Sequence, residues 1–147
     1  MANEITGLDD VLAKIRQLGK PRKVKNAATR ASRKAMNIVK KDAVKNAKAL
    51  DDKHSPEKIW KNIVTKPSKT KGDFVMMKVG VKGGAKKTVG TGNSGGDTWY
   101  WRFPEFGTAH QSATPFMRPA INNNRDAVQT EFTSQFMLEL DKEIAKL

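Results

Sequence analysis

Residues 22–50 contain neither glycine nor proline, and the pattern they carry leaves few folds open. Val24, Ala27, Ala28, Ala31, Ala35, Ile38 and Val39 recur at 3.6-residue spacing and so share one narrow face of a helix. That face is mostly alanine, so whatever packs on it comes close to the backbone. A quarter turn away, Lys23, Arg30, Lys34, Lys41, Lys45 and Lys48 form one basic stripe, roughly 40 Å long at about 1.5 Å per residue. Six like charges in line repel one another unless water screens them or something anionic faces them. A solvated face and a surface for a polyanion both fit. Asp42 lies towards the alanine face, so the core contact is expected to weaken near the C-terminal end of this helix.

A small-residue face needs bulk opposite it, and the C-terminal segment supplies that bulk. After Pro119, a residue suited to a first helical turn, a helix is expected to run to about residue 146. Val128, Phe132, Phe136, Leu140 and Ile144 step by four along it. A shorter helix is predicted over residues 7–18, with Leu8, Val11, Leu12, Ile15 and Leu18 in one stripe, and with Gly19 and Pro21 ending it. Ser55-Pro56-Glu57 reads as the start of a single helical turn carrying Ile59 and Trp60. Trp60 beside Lys58 and Lys61 fits either base stacking or a core edge, the latter being the commoner use.

Three stretches of the middle read as strands: residues 63–66, 74–81 and 98–103. In the last, Trp99 and Trp101 would share one face and Tyr100 the other, serving the core and a subunit interface. Residues 82–97 hold six glycines and three lysines with few apolar side chains, which predicts a flexible loop. The expected fold is α+β: a small, mainly antiparallel sheet packed against two long helices, with a short N-terminal helix. Residues 1–147 are expected to form one domain, long enough to bury a true core.

Between the β-rich middle and the last helix, residues 103–120 must turn the chain. Pro104, Pro115 and Pro119 restrict φ and remove backbone donors, while Gly107 permits conformations other residues avoid. Phe103, Phe106 and Phe116 are expected to pin this elbow onto a core, and Glu105 with Arg118 to close it as an ion pair or face a neighbour. Within it, Glu105-Phe106-Gly107-Thr108 followed by Pro115-Phe116-Met117-Arg118-Pro119-Ala120 resembles the signature of the tail-completion, or neck, proteins of long-tailed bacteriophages. Those proteins are non-enzymatic virion components, similar in fold to tail-terminator proteins. The resemblance implies a homo-hexameric ring at the head-to-tail junction, assembled in the host cytoplasm. It also implies contacts to connector or stopper, terminator and tail-tube proteins, with double-stranded genomic DNA passing through. Family members often carry Thr-Gly-x-Leu before the first strand, whereas this chain has Ser55-Pro56-Glu57-Lys58-Ile59-Trp60.

Charge agrees with that reading by an independent route. The chain carries a formal net charge of +13, unevenly placed: residues 1–50 hold 13 basic and 4 acidic side chains, residues 97–147 hold 5 and 7. Such asymmetry favours a polyanionic partner, self-association through opposite faces, or both. The basic stripe is then the DNA-facing surface, and a free-standing nucleic-acid-binding protein is the alternative.

Other chemistry finds little footing. Cysteine is absent, so there are no disulfides or thiolate metal sites. No secretory signal or membrane-spanning run is present in the sequence, and no membrane partner is expected. Gly90 to Gly95 spells G-x-G-x-x-G, but a strand rather than a helix is predicted to follow, so no dinucleotide cofactor is expected. His54 and His110 lack the spaced partners of a metal site. Ser112 near His110 and Glu105 lacks a nucleophile elbow, so no catalytic residue is assigned and no enzyme is expected.

Overall fold

The computed structural model describes residues 7–51, 53–72, 74–83 and 92–147. Their elements are α1 (Leu8–Leu18), α2 (Pro21–Leu50), a 3-10 turn (Ile59–Asn62), β1 (Ile63–Pro67), β2 (Met77–Val81), a second 3-10 turn (Trp99–Trp101), α3 (Arg102–Phe106), α4 (Arg118–Asn122) and α5 (Arg125–Ala145). The fold is α+β, with a two-stranded antiparallel sheet. The chain gathers into two compact units. One comprises the described residues of Met1–Ile38, Lys66–Lys78 and Arg125–Leu147; the other comprises those of Val39–Thr65 and Val79–Asn124.

In the first unit, α1 is closed by glycine at both ends: Gly7 at φ 84° and Gly19 at φ 61°, whose N–H returns to the Ile15 carbonyl. Val11 and Leu18 are buried with Ala27 and Ala31 of α2 and with Phe136 and Leu140 of α5. Phe132 and Ile144 pack around that cluster. Small residues on α2 thus meet large ones on α5, as the spacing predicts. Leu8 and Leu12 of the predicted α1 stripe are exposed instead.

The second unit buries the C-terminal half of the alanine face, which does not weaken as Asp42 suggested. Ala43 and Ala47 are fully buried. Asp42 is accommodated at the edge by a hydrogen bond from the Asn124 side chain, 2.8 Å long. Asn124 also marks a break in the last helix: the expected single segment is α4 and then α5, because the Asn124 amide turns back to the Ala120 carbonyl. Ser55 does not cap the turn at Ile59–Asn62. Its hydroxyl engages Glu57, while both oxygens of Asp51 accept the backbone N–H groups of Ile59 and Trp60 at 3.1 Å.

The main departure from the sequence-based expectation lies at residues 98–103: they form no third strand, and 99–103 are helical. Strand propensity measures fit to a half-buried pleated surface and yields to tertiary context. Helical spacing instead brings Trp99 over Phe103, four residues on, with ring centroids 5.6 Å apart and nearly perpendicular. Pro104 sits within the first turn of α3, where a missing N–H costs nothing. Lacking that strand, β2 is not central, and Phe74 and Met76 before it are exposed.

Of the glycine-rich loop, residues 84–91 lie outside the described residues, Lys86 and Lys87 among them. Residues 95–98 are held by Asn62, which is fully buried. Its amide nitrogen donates to the Gly96 carbonyl and the Thr98 hydroxyl, and its oxygen accepts the Gly95 N–H at 2.9 Å. Gly95 is obligatory for this approach: a Cβ there would lie 2.2 Å from the Lys58 carbonyl oxygen.

Candidate functional site

Two surfaces carry the residues singled out by sequence. The first is the elbow in the second unit. Glu105, at 1% exposure, is its organiser. One carboxylate oxygen accepts the N–H groups of Phe116 and Met117 at 2.7 and 2.9 Å, and the other accepts that of Arg118 at 2.9 Å. The Arg118 guanidinium closes the ring, donating to the same carboxylate at 3.2 Å and to the Glu105 carbonyl. Burial pushes the Glu105 carboxyl upwards, but the three backbone donors and Arg118 together outweigh it and hold it below the usual carboxylate range.

The remaining signature residues shape the turn around that carboxylate. Gly107 adopts φ 77°, and a Cβ there would meet Ala113 N at 2.9 Å, so both conformation and space require glycine. Thr108 pairs with Gln111 in a single antiparallel bridge. The Pro104 carbonyl accepts the Thr114 N–H, so Pro115 follows a fixed residue, and Pro119 occupies the first turn of α4. Only one of the three elbow phenylalanines is pinned in a core. Phe116 is fully buried, whereas Phe103 and Phe106 are 41% and 61% exposed. The Phe106 ring lies 5.1 Å from the Arg118 guanidinium, a cation–π contact at the surface. Phe103 lines a cleft of about 490 Å³ with Ile59, Tyr100, Pro104 and Thr114.

The second surface is the basic stripe of α2, and the structure divides it. In the first unit Arg30 donates to Glu139 at 2.8 Å and to Glu143 at 3.1 Å. Lys34 donates to Glu139 at 2.9 Å, and Lys23 lies 3.8 Å from Glu143. Lys142 of α5 and Lys146 just past its end reach Glu139 and Glu143 respectively. Five cations therefore share two buried carboxylates, leaving three positive charges in surplus. Sequence reasoning missed Glu139 and Glu143, the buried ion-pair partners of this part of the stripe. Their signal was available: two carboxylates four apart, flanking Leu140, on a helix due to face the alanine stripe.

In the second unit Lys41 and Lys45 are exposed, and among the described residues neither has a carboxylate partner. Lys48 lies with its ammonium 4.4 Å from the centre of the Trp60 ring, and Lys61 lies 5.5 Å from it. Trp60 is half-buried.

The cluster around Glu139 makes a pH-dependent contribution to stability. Hydrogen bonds from Lys34 and then Arg30, against the cost of burial, bring the Glu139 carboxyl from 4.5 down to about 2. A depressed folded-state value stabilises above the unfolded value and is lost as pH falls through the folded one, here between 4.5 and about 2. Urea midpoints measured across that window should fall for the native chain. The Glu139→Gln variant should start lower at neutral pH and fall less, and parallel curves would remove the carboxylate from this role.

A family model described as "Bacteriophage HK97-gp10, putative tail-component" matches residues 9–107, two-thirds of the 147-residue chain. The protein belongs to that family, and its role is that of a structural component of a phage tail. The match takes in α1 from Asp9, α2, both strands and the elbow as far as Gly107. No curated protein and no solved structure matches the chain. Among the described residues, no helix is long and apolar enough to cross a membrane.

Proposed function

We propose that the protein completes the tail at its upper end, forming a homo-hexameric ring that joins tail to head and through which double-stranded DNA passes. It would be assembled in the host cytoplasm and would touch connector or stopper, terminator and tail-tube proteins. The carrying observation is the elbow. The two halves of the stretch that resembles the tail-completion signature are separated by six residues, and one buried carboxylate, Glu105, binds the backbone of the second half directly. Those residues act together, leaving Phe106 and Arg118 presented as a fixed pair at the surface, a composition typical of protein contacts.

DNA-facing duty falls on the stripe of Lys23, Arg30, Lys34, Lys41, Lys45 and Lys48, and most directly on Lys41 and Lys45. Passage needs contacts that are numerous, weak and indifferent to sequence, which hydrated lysine ammonium groups supply. A ring multiplies each such contact by its subunit number. Reversal of both residues, Lys41→Glu with Lys45→Glu, should change folding stability by no more than about 0.5 kcal/mol per site, because both are solvated. Particles carrying the pair should leak DNA or fail to join heads to tails. Particles that keep their DNA and infect normally would end the DNA-facing assignment. A native mass that stays monomeric at every concentration, with no incorporation into tails, would end the ring.

A further inference from the structure

Lys48 and Lys61 come from different elements, α2 and the turn at Ile59–Asn62, yet both place their ammonium groups against one indole. With distances of 4.4 and 5.5 Å to the same ring centre, the two charges cannot lie further apart than the sum of those lengths. Gathering two like charges at an accessible site is unfavourable without compensation. A carboxylate stands within reach: Asp51 follows Lys48 by one helical turn. Among the described residues it pairs with neither lysine, and its two oxygens accept backbone N–H groups at the start of the turn. The indole faces compensate part of the repulsion and hold the side chains in place, leaving each ammonium with hydrogens to donate.

We infer that Trp60, Lys48 and Lys61 form a clamp for the phosphodiester backbone of double-stranded DNA, with Trp60 as the positioning residue and the lysines as the contacting ones. This rests on the reading that DNA passes the protein, and adds where a subunit grips it. Lys45 and Lys41, one and two turns back along α2 from Lys48, extend the site along the helix. The indole is occupied by its own lysines, so recognition is of phosphate and not of an unstacked base. That distinguishes the site from the stacking platforms of single-strand binders.

Salt dependence of binding tests the clamp, because each phosphate contact adds about 0.9 to the slope of log K against log salt. The full-length protein would be titrated into a random-sequence duplex from about 50 mM salt upwards. Lys48→Gln with Lys61→Gln should lower the slope by about 1.8, whereas the charge-matched pair Lys66→Gln with Lys69→Gln should leave it unchanged. Trp60→Leu keeps both charges and should still weaken binding about threefold, with Trp60→Phe restoring most of the loss. Equal slope changes in the two lysine pairs, or wild-type binding by Trp60→Leu, would overturn the clamp while leaving DNA passage intact. Absence of any duplex binding by the native chain at low salt would overturn both.

Discussion

Glu105→Gln is expected to lower stability by about 1–3 kcal/mol for each buried backbone donor it leaves unsatisfied. The carboxylate accepts three backbone N–H groups and the Arg118 guanidinium through two oxygens. Glutamine has one carbonyl oxygen and one amide group, so at least one backbone donor would confront another donor in a site at 1% exposure. Arg118 is about half exposed and will find water, so most of the loss arises from the backbone donors. In urea the midpoint should fall with little change in slope, because the same surface unfolds. A midpoint equal to that of the native chain would show that the elbow holds its shape without the carboxylate. Arg118→Ala, by contrast, leaves the three backbone bonds in place and should cost much less; comparable losses would shift the organising role to the ion pair.

How far the sequence revealed this arrangement depends on whether the signal was periodic. The α2 face and the α5 stripe were legible because burial of one helix face imposes a repeat, and Ala27, Ala31, Phe136 and Leu140 sit where that repeat puts them. The Glu105–Arg118 pair was legible as one of two options, since opposite charges flanking a shaped loop are few. Residues 98–103 misled because Trp99, Tyr100, Trp101 and Phe103 satisfy strand propensity and also supply an i, i+4 aromatic pair, Trp99 with Phe103. What decided between them was the anchoring of Thr98 by Asn62, a tertiary contact with no local trace. Asp51 as a remote cap and Asn62 as the hub under residues 95–98 were illegible for the same reason: each is a single polar side chain satisfying backbone groups distant in sequence. The basic stripe was visible as a line of charge, but its division was not, because that depends on where Glu139 and Glu143 come to rest.

Phe116→Ala should cost about 3–5 kcal/mol, as truncation of a fully buried phenylalanine removes its transfer free energy and leaves a cavity. Partial collapse is the usual route by which such a cost is reduced, and here it is restricted. The Phe116 N–H is bound by Glu105 and its carbonyl accepts from Asn46 at 3.3 Å, so the backbone on both sides of the missing ring is tethered. Ala120, one helical turn beyond, is already fully buried and has no side chain to swing into the gap. Phe106→Ala provides the comparison within the same elbow. Its ring is largely exposed and, among the described residues, its ring contact is the Arg118 guanidinium, so folding should lose at most about 1 kcal/mol. Assembly should behave in the opposite sense: Phe106→Ala should fold and then fail to enter tails, while Phe116→Ala should be lost chiefly before assembly, through a lowered denaturation midpoint. Equal midpoints for Phe116→Ala and the native chain would mean that the ring contributes nothing to the core. Normal incorporation of Phe106→Ala into tails would remove the exposed aromatic from the subunit interface and leave the elbow a purely internal device.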